Sequence, residues 1–232
     1  MPVADMPVAV IKLAVMPVAV TESTPITDLG VLVHANLKPG HHCTAIVSKA
    51  SARCRLILKS FLSHDPFIMA KAFAVYVRPL LEYCTPVWSP HFLQDIDLVE
   101  NVQCAFTRSL YRCRHLEPAG YEDRLTFLGL QRLELRLTYA DLTYLFKLTH
   151  NMLATSLTQT YQFTNHAYAT RGHRYKLNVR GSNKLVFSTY FINRVVPILN
   201  SLPDSCFSVD TLFSFKRQLH NVNFARFLRG RL

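Results

Sequence analysis

The stretch TYADLTY, residues 138–144, sets Tyr139, Ala140 and Asp141 in the order with which template-copying polymerases begin their metal-binding box. Two-metal phosphoryl transfer needs clustered carboxylates, because two hard cations held a few ångströms apart are neutralised only by oxygens that point at both. Position 142 is Leu, and no Asp-Asp pair occurs in the 232 residues. Asp95 and Asp97 offer no substitute, since residues two apart on a helix point in different directions. They read as solvated first-turn acids that complement a helix dipole. His41, His42 and Cys43, or Cys104, Cys113 and His115, have zinc-ligand side chains but lack the Cys-x-x-Cys spacing by which one turn presents two thiolates. Exposed histidines and reduced packing cysteines are the expectation. No catalytic residue, metal site, cofactor or small-molecule substrate is assigned from these patterns.

The cations are more informative. A formal charge of +11 and a pI of about 9.6 point to nucleic acid, an anionic surface or an acidic partner. Residues 171–232 hold eleven lysines and arginines against only Asp204 and Asp210. Arg174, Lys176 and Arg180 alternate with Tyr175, Leu177 and Val179, and a turn at 181–183 leads into Leu185, Val186 and Phe187. The pattern predicts a hairpin with one cationic face. Lys216 and Arg217 lie on the polar side of a helix expected over about 210–220. Lys49, Arg53, Arg55 and Lys59 lie off the apolar stripe Ile46, Ala50, Cys54, Ile57, Phe61 of another. Lys49, Arg53, Lys59, Arg174, Lys176, Arg180, Lys216 and Arg217 are therefore the candidate phosphate contacts, with the tail expected to dominate. Contacts of this kind bind RNA or DNA without reading sequence.

The elements that position these groups follow from periodicity. Residues 27–33 read as one short strand closed by a turn cluster at 36–40. The basic helix begins near His42. Asp65-Pro66 supplies an N-cap and a first-turn proline for the next helix, which Pro79 should kink and Pro86 and Pro90 should end, leaving Trp88 in an extended but shielded link. A third helix carries Ile96, Val99, Gln103, Phe106 and Leu110 inward, with Asp97, Glu100, Asn101 and Arg108 on the opposite side. Helices are expected over 121–130 and 132–152, the second with leucines on more than one face and with Asp141 inside it. A helix capped by Ser188 or Thr189 should be limited in length by Pro197 and Pro203. Half the residues are apolar, enough for a real core.

Residues 1–20 repeat MPVAD, MPVAV and MPVAV, a low-complexity leader in which Asp5 and Pro2, Pro7 and Pro17 argue against a secretory signal. With no long uncharged apolar run, no membrane span is expected. An intracellular location, nucleus or cytoplasm, is the expectation.

Four stretches carry a resemblance when taken in order: DLGVLVHANLKPGHH at 28–42, YVRPLLEYCTPVWSPHFLQDIDLVENVQ at 76–103, YEDRLTFLGLQRLELRLTYADLTYLFKL at 121–148, and FINRVVPILNSLPDS with FSFKRQL within 191–219. They resemble the C-terminal part of the reverse transcriptases of jockey-like LINE (non-LTR) retrotransposons, over about residues 22–232. The resemblance implies a truncated fragment of an RNA-directed DNA polymerase: thumb and post-thumb, without the endonuclease, the fingers or the palm, whose paired aspartates hold the family's magnesium. The resemblance starts after the leader over 1–21, which has no counterpart in the family, and implies a strand and turn resembling the end of the palm over 22–41 and a helical thumb-like domain over 42–153; a polar linker over 154–170 then separates these from a basic α+β region over 171–232. The expected fold class is mainly α, with a short N-terminal strand and a small α+β tail. The expected function is no catalysis and at most sequence-independent grip on nucleic acid. The alternative is an α-helical interaction protein without nucleic-acid affinity.

Overall fold

A computed structural model describes residues 25–61, 65–113, 115–153, 175–178, 189–209 and 211–230. The protein is mainly helical, with a two-stranded antiparallel sheet near the start. The described residues group into two compact units, one within 25–138 together with 224–230, the other within 139–223. Residues 224–230 thus group with the helical block rather than with the tail. The expected linker at 154–170 and most of the expected hairpin lie outside the described residues.

The first unit opens with a correction. Residues 26–33 form a hairpin, β1 (Ile26–Asp28) and β2 (Val31–Val33), instead of one strand. Leu29 and Gly30 between them both have positive φ, 44° and 85°, which a two-residue hairpin turn requires. Glycine meets that need at no steric cost, and the apolar run concealed it.

Helix α1 (Gly40–Ser60) buries Cys43, Ile46, Ala50, Cys54 and Ile57, the stripe its spacing implies. Helix α2 (Pro66–Tyr76) starts as the sequence dictates: the Asp65 carboxylate accepts the Phe67 N–H at 2.8 Å, and Pro66 occupies the first turn. At Pro79 the chain breaks rather than kinks. Val77 closes α2 and a new short helix, α3 (Arg78–Glu82), carries the proline in its first turn, where no N–H is needed. Cys84 then takes a left-handed conformation, φ 57°, and α4 (Thr85–Trp88) follows. Trp88 therefore sits on a helical turn, not in an extended link. Its shielding is as expected: it is 4% exposed, with Nε1 donating to the Tyr83 carbonyl at 2.7 Å.

Helix α5 (Leu93–Cys113) is the centre of this unit, packing against α1, α2 and α6 (Tyr121–Leu128). Phe73 of α2 stacks on its Phe106 with centroids 4.8 Å apart, and Val99, Val102 and Leu110 complete the core. Its polar side holds Asn101 and Arg108 in solvent where periodicity puts them, but two acids depart from it. Glu100 and Asp95 are buried, 1% and 5% exposed, not solvated. The reason for Glu100 is a long-range cap. Its carboxylate accepts the Leu133 and Glu134 N–H groups at 3.1 and 3.0 Å and the Tyr121 hydroxyl, filling the N-terminus of α7 (Leu133–Thr149), where backbone donors lack helical partners. Gln103 donates to the Tyr121 oxygen and the Gln131 carbonyl, both at 3.0 Å. Gly129, at φ 63°, stops α6 in the left-handed conformation that ends so many helices.

In the second unit the remainder of α7 carries Leu142, Leu145 and Phe146 inward. Phe146 stacks on Phe215 of α9 (Leu212–Leu219) at 4.2 Å, and Phe207 lies against the same ring. Helix α8 (Phe191–Asn200) has Tyr190 rather than Ser188 or Thr189 at its N-cap, with no side-chain cap from Tyr190, and Ser188 lies outside the described residues. It also runs through Pro197, which the sequence reading made a limit. Burial of Val195, Val196 and Leu199 on either side of the proline offsets the helical hydrogen bond it removes. Asn200 substitutes for a neighbouring strand: its amide donates to the Leu177 carbonyl at 2.9 Å and accepts the Leu177 N–H at 3.1 Å.

Candidate nucleic-acid interface

The cations of α1 are held outward by what is held inward. Six buried side chains fix the rotation of this 21-residue helix, so Lys49, Arg53, Arg55 and Lys59 emerge into solvent, all exposed. Lys49 and Lys59 are ten residues apart, a rise of about 15 Å along the axis, which spans two to three phosphates of an extended strand. Neither forms an ion pair among the described residues. Leu56 shares this surface at 62% exposure and supplies an apolar contact between the cations. Arg53 is partly committed, since its guanidinium donates to the Tyr76 carbonyl at 3.2 Å, closing the C-terminal end of α2.

The start of α1 is anchored by a histidine that the sequence reading left exposed. His42 is 3% exposed. Its Nδ1 accepts the Leu32 N–H at 3.2 Å, tying the helix to β2, and its ring lies 5.0 Å from Trp88. As Nδ1 is an acceptor, the proton resides on Nε2 and the ring is neutral. Burial first, and then the Lys49 charge, lower its pKa to about 4. Burial also pushes the Cys43 and Cys54 thiols up to about 12, so these cysteines act as apolar core atoms. All six cysteines are free thiols, with Cys113 exposed.

In the second unit Lys216 and Arg217 are exposed on α9, on the side away from buried Phe215 and Leu219, as their spacing predicts. The Thr211 hydroxyl accepts the Ser214 N–H at 3.2 Å and fixes the start of that helix. Lys176 is half-buried rather than exposed. Arg174 and Arg180 lie outside the described residues. Asp141 lies within α7, 4% exposed, and accepts from the Arg194 guanidinium at 2.9 Å. Its described role is therefore to hold α8 against α7.

Sequence reasoning missed the polar residues whose partners are distant. Arg124 is 7% exposed, with Nη1 donating to the Ala119 carbonyl at 2.7 Å and Nε to the Thr107 hydroxyl at 3.2 Å. Glu82 joins Arg78, at 3.3 Å, to Arg136, at 3.0 Å. Arg78 and Glu82 stand four residues apart on one helix, but no local periodicity marks the Arg136 partner or the contacts of Arg124. Among the described residues no group of histidine, cysteine and carboxylate side chains is arranged to hold a metal ion, and no helix is long and apolar enough to cross a membrane.

No family model and no solved structure matches this chain. Uncharacterized protein B0403.1 of Caenorhabditis elegans is similar to it, 26% identical over 129 residues, which is 56% of this chain and 63% of the nematode protein. The chain thus spans less than two thirds of that relative's length.

Proposed function

We propose that this protein corresponds to the thumb and post-thumb part of a jockey-like non-LTR reverse transcriptase, and that it grips nucleic acid through phosphates without catalysing transfer. The observation that carries the reading is the exposed cation face of α1, set on a helix whose opposite face is fully packed. The four sequence stretches supply the family, and Lys216 and Arg217 supply a second phosphate-facing pair. Such surfaces track backbone charge and read no bases. The sequence contains no paired aspartates, the ligands that two-metal phosphoryl transfer requires.

Fluorescence anisotropy with labelled single-stranded RNA, single-stranded DNA and duplex DNA of unrelated sequences tests this. Affinities within about tenfold of one another across sequences are expected, since phosphate contacts are shared by all. Replacing Lys49, Lys59, Lys216 and Arg217 by Ala should weaken every one of them. Binding by none would favour the helical interaction protein, and binding by only one sequence would refute a grip made through phosphates alone. Primer extension with magnesium should be absent, and extension surviving repurification would refute the non-catalytic part.

A further inference from the structure

The chain's last described residues are held by one side of the helical unit as a ligand is held. After a short turn at Ala225–Phe227, anchored by Phe224 at 3% exposure, Leu228 takes an extended conformation. The Glu134 carboxylate then captures two successive backbone donors, the Arg229 N–H at 2.7 Å and the Gly230 N–H at 3.0 Å. The Arg132 guanidinium donates to the Gly230 carbonyl at 3.2 Å, and the Arg229 guanidinium donates to the His91 carbonyl at 2.9 Å. Gly230 is enclosed: a Cβ there would lie 3.1 Å from Arg132 Nη2, 3.1 Å from Glu134 Oε2 and 3.2 Å from Ile96 Cγ2.

We propose that His91, Ile96, Arg132 and Glu134 form a recognition groove for an extended Arg-Gly peptide, filled in this chain by its own residues 228–230, and that the same peptide supplied in trans competes for it. Three features distinguish this from ordinary packing. A carboxylate and a guanidinium satisfy both polar groups of the Gly230 backbone, and charge-assisted bonds of this kind are the strong ones. Side-chain selectivity is present at both positions: any Cβ at Gly230 presses on the tips of Arg132, Glu134 and Ile96, which must give by a few tenths of an ångström for alanine and by more for a branched side chain, and a carbonyl receives arginine. The groove residues lie about a hundred positions earlier in the sequence, so recognition depends on the peptide rather than on a local turn. Tethering gives the chain's own segment a high effective concentration, which a free peptide must overcome.

The test uses the full chain and a fluorescein-labelled peptide NFARFLRGRL, the sequence of residues 223–232. Gly230→Val should expel the chain's own segment, so that this variant takes up the labelled peptide at least about tenfold more tightly than the unaltered chain does. A peptide carrying valine at the same glycine should not bind, and adding Glu134→Gln to Gly230→Val should abolish uptake. Equal uptake by the variant and the unaltered chain, or equal binding of both peptides, would overturn the proposal. Should Gly230→Val fail to fold, amide exchange in the unaltered chain decides. Excess unlabelled peptide should lower protection of the Arg229 and Gly230 amides about tenfold while leaving α5 protected. Protection that excess peptide does not change would refute competition at this groove.

Discussion

Acidification should uncouple the start of α1 from the hairpin, and the size of the effect follows from one side chain. Neutral His42 accepts from Leu32 with its ring buried beside Trp88, and its pKa falls from 6.5 to about 4. The unfolded chain therefore binds a proton that the folded chain refuses between those two values. Stability from this group is fully present above pH 6.5, falls by about 1.4 kcal/mol per pH unit below it, and is lost by about pH 4. The drop amounts to about 3 kcal/mol. Burial raises the pKa of Asp95 and of Glu100, so these carboxyls act in the opposite sense and partly mask the histidine in the unaltered protein. His42→Asn removes the titration while keeping an acceptor in the place of Nδ1, and both carboxyls cancel in the comparison. Urea denaturation followed by circular dichroism from pH 7.5 to 4 should show the unaltered chain losing about 3 kcal/mol relative to His42→Asn. Parallel curves within about 0.5 kcal/mol would refute a neutral, buried His42.

Glu100→Ala strands two backbone donors at the start of α7 and should cost about 3 kcal/mol, read from thermal denaturation, whereas a change below about 0.5 kcal/mol would deny the long-range cap. Asp141→Ala leaves the Arg194 guanidinium without its carboxylate and should destabilise by about 3 kcal/mol, with nucleic-acid affinity unchanged in the folded variant. Trp88 is the sole tryptophan, so its fluorescence reports one site: blue-shifted emission and weak acrylamide quenching are expected, and strong quenching would place the indole in solvent.

Much of the helical scaffold is legible in the sequence because its causes are local. The stripe from Cys43 to Ile57 and the Asp65-Pro66 start each lie within one window, and α1 and α2 follow from them. The exposure of Lys49 and Lys59 follows as the complement of that stripe. Burial of His42, Asp95 and Glu100 was illegible for the opposite reason. Each is polar, and what buries His42 and Glu100 is a partner from 10 to 34 residues away, Leu32 for one and the start of α7 for the other. The hairpin at 26–33 was hidden because Leu29 is an unusual residue for positive φ. The seating of Arg229 and Gly230 depends on Glu134, some 95 residues earlier, and no spacing rule connects them.

The central claim is that cations on α1 meet phosphates, and the salt dependence of binding tests it most directly. The logarithm of the affinity for duplex DNA should fall linearly with the logarithm of salt concentration, with a slope of about 0.9 per phosphate neutralised. Lys49→Ala with Lys59→Ala should reduce that slope by about two while the fold, monitored by Trp88 emission, is retained. An unchanged slope and affinity in the folded double variant would contradict the account.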